Sequence, residues 1–156
     1  VSEEGAWGYE LTILFATAFR LAVDELHKEL ALLGFDDVRP SHGYVFQMLS
    51  HSGATGKEVA EHLGITKQAA SLTVDYLEEH GYVLRQPHPT DQRGKLIVLT
   101  ERGWDCIRAT ETIFTSIENR WQEVLGKDQI ETLRGELRKL VYASTNSHSF
   151  KFRPVW

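Results

Sequence analysis

The stretch from Thr55 to Thr100 constrains the fold most, because its start and stop signals lie too close together for anything but small, tightly joined elements. Thr55-Gly56-Lys57-Glu58 is a capping box: the Thr55 hydroxyl can accept the N–H of the third helical residue while Glu58 reaches back. It opens a short helix with Val59, Ala60 and Leu63 inward, which Gly64 stops. After Ile65, Thr66 is a second N-cap. Ala70, Val74 and Leu77 recur at helical spacing and predict a helix over about 67–80, ended by Gly81. Tyr82 to Gln86 reads as a strand, Pro87 to Gly94 as a polar turn, and Lys95 to Leu99 as the returning strand of a hairpin. Two short helices across a tight turn, followed at once by a hairpin, describe a winged helix-turn-helix.

The flanks are longer. Trp7, Leu11, Leu14, Ala18 and Leu21 form one helical stripe, and Phe15, Phe19, Ala22, Leu26, Leu30 and Leu33 form a second beside it. They predict one long helix with a wide apolar face, closed by Gly34 and Asp36-Asp37; a chain of 156 residues would struggle to cover that face alone, so part of it is expected to meet another chain. Ser41 to Ser50 is a short second helix begun near Pro40, and His51 to Ala54 a turn. Thr100 caps a helix over 101–124, ended by Gly126, and a last helix covers about 128–143. The tail from Ser144 to Trp156 is expected to be irregular; its alternating end, Phe150 to Trp156, either packs on a partner subunit or moves freely. The expected fold is mainly α with a small β-hairpin wing (α+β). It divides into an N-terminal dimerisation helix (1–38), a winged helix-turn-helix DNA-binding domain (39–100), and C-terminal dimerisation helices with the tail (101–156).

The first two turns of a DNA-reading helix must be small or polar, since they face base edges in a groove about 12 Å wide. Here they are Thr66, Lys67, Gln68, Ala69 and Ser71. Gln68 could pair with adenine, Lys67 reach a guanine or a phosphate, and Ala69 touch a thymine methyl. The alternative is a solvated helix face with no ligand. Helical phase favours an apolar residue at 73 and a polar one at 72, whereas the chain has Leu72 and Thr73.

The hairpin tip reads Pro87-His-Pro-Thr-Asp-Gln-Arg-Gly-Lys95 and leads into Leu-Ile-Val-Leu-Thr100. This resembles the MarR family of bacterial transcriptional regulators, whose wing carries an Asp-x-Arg signature followed by an apolar strand ending in Leu-Thr. Asp91-Gln92-Arg93 and Leu99-Thr100 match it, as do Val59 to Thr66 and Val74 to Glu78 upstream. The resemblance covers 39–103 closely and the flanking helices by pattern only. It implies a homodimer whose two winged domains bind one pseudo-palindromic site, with the recognition helices about 34 Å apart. Arg93 would enter the minor groove, and Asp91 would hold the wing. Ser41, Thr55 and Lys95 complete the expected DNA contacts. The chain is thus expected to be a sequence-specific regulator, most readily a ligand-released repressor. The family often binds small aromatic anions, so an aromatic or phenolic effector is expected among Phe15, Phe19, His42, Tyr44 and Phe46, with a cation from Arg20 or Arg39.

Other classes fare worse. Some relatives sense oxidants through a cysteine; the single Cys106 is expected to be a structural thiol, a redox sensor being the alternative. The seven histidines show no metal-ligand spacing, and His42, His51, His62, His80 and His88 are expected as surface or capping groups; no metal or cofactor is expected. No Gly-rich phosphate loop, nucleophile elbow or convincing Ser/His/Asp set appears, so the chain is not read as an enzyme. No apolar run approaches the length of a membrane span and the start has no signal-peptide pattern, so a cytoplasmic setting is expected. The net charge of −5 is uneven: residues 1–38 hold eight acidic and two basic side chains, whereas 39–100 hold six of each. A DNA surface therefore belongs in the middle. The same neutral balance leaves open a winged-helix protein-interaction module that does not bind DNA.

Overall fold

A computed structural model describes residues 8–145. Six helices and one hairpin follow in the order α1 (Glu10–Leu32), α2 (Pro40–His51), α3 (Gly56–Leu63), α4 (Lys67–Glu79), β1 (Val83–Pro87), β2 (Lys95–Leu99), α5 (Glu101–Leu125) and α6 (Lys127–Thr145). The strands are antiparallel, pairing Val83 with Leu99 and Pro87 with Lys95. The fold is mainly α with a small β wing. Trp7 and the Phe150–Trp156 segment lie outside the described residues.

Local chemistry sets the boundaries. Pro40 occupies the first position of α2, where its missing N–H removes no helical bond, and the Arg39 N–H donates to His42 Nδ1 at 3.0 Å. The Thr55 capping box forms: Glu58 N–H donates to Thr55 Oγ1 at 3.2 Å, and Thr55 N–H to Glu58 Oε1 at 3.2 Å. Gly64 ends α3 in the left-handed region at φ 67°, a conformation that disfavours a Cβ. Two residues on, the Thr66 hydroxyl caps α4 by accepting Ala69 N–H at 3.1 Å.

One core runs through the winged domain. Val45, Val59, Ala70, Val74, Leu77, Tyr82, Val83 and Ile97 are nearly inaccessible, and Leu26 and Leu30 of α1 and Cys106 of α5 join them. The long helices thus seal the winged domain with their inner halves. Their outer parts are bare: every residue from 11 to 20 is exposed, as are Trp121, Val124, Leu125, Leu133 and Leu140.

Three local expectations change. The turn at His51–Ala54 ends in a strand bridge, with Ala54 and Ile97 exchanging N–H···O bonds of 3.0 and 2.7 Å. Gly53 permits it, since a Cβ there would lie 2.8 Å from the Leu96 side chain. Pro87 belongs to β1 rather than to the turn, which an edge position of a two-stranded sheet tolerates. Finally, α6 extends through Ser144 to Thr145, so that part of the expected tail is helical.

Candidate nucleic-acid interface

The buried residues of α4, Ala70, Val74 and Leu77, fix the opposite face outward. That face presents Lys67, Gln68, Ser71 and Leu72, all exposed, with Ala69 half-buried beside them. Leu72 is 70% exposed. Thr73 is half-buried and returns its hydroxyl to Ala69 O at 3.1 Å, so a small polar residue fills the position where helical phase favours an apolar one. Thr66 is exposed but commits its side chain to the cap, and Thr55 is likewise tied to Glu58. Ser41, in the first turn of α2, is half-buried.

The wing tip folds upon itself. His88 Nδ1 accepts the N–H groups of Thr90 and Asp91 at 3.2 and 3.1 Å, Asp91 Oδ1 accepts Arg93 N–H at 3.0 Å, and Gly94 N–H returns to Asp91 O at 3.1 Å. Asp91 is thereby turned onto the tip's own backbone, leaving the exposed Arg93 side chain and Lys95 pointing into open space. Of the five histidines expected as surface or capping groups, His42 caps α2 yet is buried, stacked on Tyr76 at 5.0 Å.

Sequence patterns did not reveal the brace between wing and helix. Arg85 of β1 donates to Glu78 Oε1 at 2.9 Å and to Asp75 Oδ1 at 2.7 Å, while its own N–H bonds Glu78 Oε2 at 2.9 Å. Two carboxylates beside the exposed face of α4 thus share one guanidinium. A second node was equally hidden. The Tyr82 hydroxyl donates to Asp37 Oδ1, and Arg102 donates to Tyr82 at 2.9 Å and to Gly34 O at 3.2 Å, joining the end of α1 to the start of α5.

A cleft of about 580 Å3 opens between α1, α2 and α5. Of the residues expected to hold an effector, Phe19, Arg20, Tyr44 and Phe46 line it, whereas Phe15 and His42 do not. Phe15 stands on the bare outer half of α1, and His42 is held in the core by its cap and its stacking. Arg39 is also elsewhere, over the Tyr76 ring at 5.9 Å. Val23, His27, Ile107, Thr110, Glu111 and Phe114 are among the other residues that line it, brought in by packing that no local pattern announces.

Cys106 is buried, and burial pushes its thiol up to about 11. A reactive sensor needs the opposite, a lowered and accessible thiol, so the redox alternative is corrected to a packing role. No group of three or more His, Cys, Asp or Glu positioned to hold a metal occurs among the described residues, and no helix there is long and apolar enough to cross a membrane.

Residues 36–94 match the model of the MarR family. Over 83–86% of its length the chain is similar in fold to the following solved structures. RV1404 from Mycobacterium tuberculosis is 26% identical, over 86% of this chain and 92% of that one, with a TM-score of 0.73. The apo form of wild-type MarR from E. coli is 24% identical over 83% and 96%, with a TM-score of 0.67. A mutant of S. aureus MepR, solved bound to an oligodeoxyribonucleotide, is 23% identical over 85% and 96%, with a TM-score of 0.62. Through residues 36–94 this chain is thus similar to the MarR family, and its six helices with a two-stranded wing are similar in fold to those solved structures.

Proposed function

We propose that this protein is a homodimeric, sequence-specific DNA-binding regulator of transcription, acting as a repressor that a small ligand releases from a pseudo-palindromic operator. The observation that carries the reading is the pairing of an outward Lys67-Gln68-Ser71 face with a wing tip that hydrogen-bonds its own polar groups to one another and presents Arg93. In this reading Lys67, Gln68, Ala69 and Ser71 face bases in the major groove, Arg93 enters the minor groove, and Ser41, Thr55, Thr66 and Lys95 lie along the phosphates. The DNA-bound state of the MepR mutant supports the same use of this fold. The bare apolar outer parts of α1, α5 and α6 support burial against a second copy, which would set the two recognition helices about 34 Å apart. A ligand in the α1–α2–α5 cleft lies where the dimerising helices meet the winged domain. It would release DNA by favouring a different spacing, to the extent that it binds one state better than the other.

Selecting random duplex DNA with the purified protein and sequencing the bound pool tests the proposal. Enrichment of a palindrome with half-sites one helical turn apart is the expected result. Absence of enrichment from a folded dimer would overturn it in favour of a protein-interaction module. Gln68→Ala is expected to change base preference at one position of each half-site, and an identical recovered motif would reject the assigned recognition helix.

A further inference from the structure

The family resemblance implies an aromatic anion for the α1–α2–α5 cleft, yet the groups lining it are weighted toward negative charge and hydrogen-bond acceptors. The cationic side chain there, Arg20, is already held by Asp24, with Nε at 3.1 and 3.2 Å from the two carboxylate oxygens. Glu111 adds a second carboxylate, and among the described residues it pairs with no cation. Arg108, one turn away, is bound to Asp105 instead. The lining therefore carries two carboxylates against one guanidinium.

The neutral polar groups lean the same way. Ser50 Oγ donates its proton to Gln47 O at 2.6 Å and Thr110 Oγ1 donates to Cys106 O at 2.9 Å, so each hydroxyl keeps only acceptor capacity. His27 Nδ1 lies 3.2 Å from Val38 O, which can only accept, so that nitrogen carries the ring proton and Nε2 is left as an acceptor. Burial lowers the His27 pKa and keeps the ring neutral. The Gln47 amide can serve either sense. Around these acceptors stand the rings of Phe19, Tyr44, Phe46 and Phe114, whose negative faces favour a cation.

We propose that the cleft accepts an organic cation with an aromatic or apolar body, such as a protonated amine, its ammonium directed to Glu111 and its body held between the aromatic walls. The proposal rests on reading this cleft as the effector site, and its test reads binding directly, so it can fail or succeed whatever the DNA selection shows.

Three probes of one shape separate the possibilities: naphthylmethylamine, naphthalenemethanol and naphthoate, titrated calorimetrically into the full-length protein at neutral pH. The amine is expected to bind about tenfold tighter than the alcohol and the carboxylate weakest. Glu111→Gln is expected to remove most of the amine's advantage and leave the alcohol unchanged. Asp24→Asn, which frees Arg20, is expected to strengthen naphthoate. Binding of naphthoate as tight as the amine, an unchanged ranking in Glu111→Gln, or no binding of the amine to folded protein would each overturn the proposal.

Discussion

At the scale of single residues, the same physical quantity, burial, separates side chains that hold the fold from those free to meet a partner. Arg93 is exposed while its backbone N–H is fixed by Asp91, a charged side chain delivered from a rigid base. Arg93→Ala is therefore expected to weaken operator binding by about tenfold or more and to lower the salt slope by about one, with the dimer intact. Unchanged affinity in a fluorescence-anisotropy titration would remove Arg93 from the interface. His42 is the opposite case. Burial, with Arg39 and His27 nearby, lowers its pKa from 6.5 to about 4. Between those values the unfolded chain takes up a proton that the folded chain refuses. Stability from this group is thus complete above pH 6.5 and declines as pH falls toward 4, by up to about 3 kcal/mol. His27, lowered by its own burial, adds in the same direction. Urea midpoints across that range should fall for the native chain and fall less steeply for His42→Gln; parallel curves would rule out this origin.

At the scale of elements, α4, the proposed recognition helix, is positioned from both ends. Thr66 fixes its start, and Arg85 ties its last turns to the wing through Asp75 and Glu78. Thr66→Ala leaves the Ala69 N–H without its cap and is expected to lower stability by about 1 kcal/mol in urea denaturation. Arg85→Ala loosens the angle between helix and wing and leaves two carboxylates uncompensated beside the proposed DNA surface. Its operator affinity should fall well beyond what its loss of stability explains. Affinity equal to that of the native chain would show that wing and helix act independently. The node of Asp37, Tyr82 and Arg102 does for α1 and α5 what Arg85 does for the wing, joining the long helices to the winged domain at one point. Gly103 shows how closely they pack, since a Cβ there would lie 2.4 Å from Tyr82 O.

At the scale of the whole molecule, the inner halves of α1 and α5 are buried on the winged domain, while the outer stretches expose leucines, tryptophan and phenylalanine along several turns. An apolar surface of that continuity is unusual on a lone soluble chain. Leu14 is among the bare residues and outside the buried core, so Leu14→Glu is expected to leave the fold intact and break the proposed dimer into monomers in sedimentation velocity. A dimer that survives would place the interface elsewhere on the chain.

The sequence alone determined the elements whose signals are local: the capping box at Thr55, the glycine stop at Gly64, the Thr66 cap and the hairpin flanked by Gly81 and Thr100. Each depends on residues within a few positions of one another, so spacing reveals it. The outward face of α4 followed in the same way from the buried period of Ala70, Val74 and Leu77. Only the tertiary structure decided the Ala54–Ile97 bridge, the Arg85 brace, and which aromatics share a cleft. Phe15 and Phe19 lie one helical turn apart and look equivalent in sequence, yet only Phe19 reaches the cleft wall. Glu111 enters it from a helix some ninety positions away. Those pairings join residues far apart in the chain. Their partners are chosen by how whole helices pack, and that choice leaves no trace in local spacing.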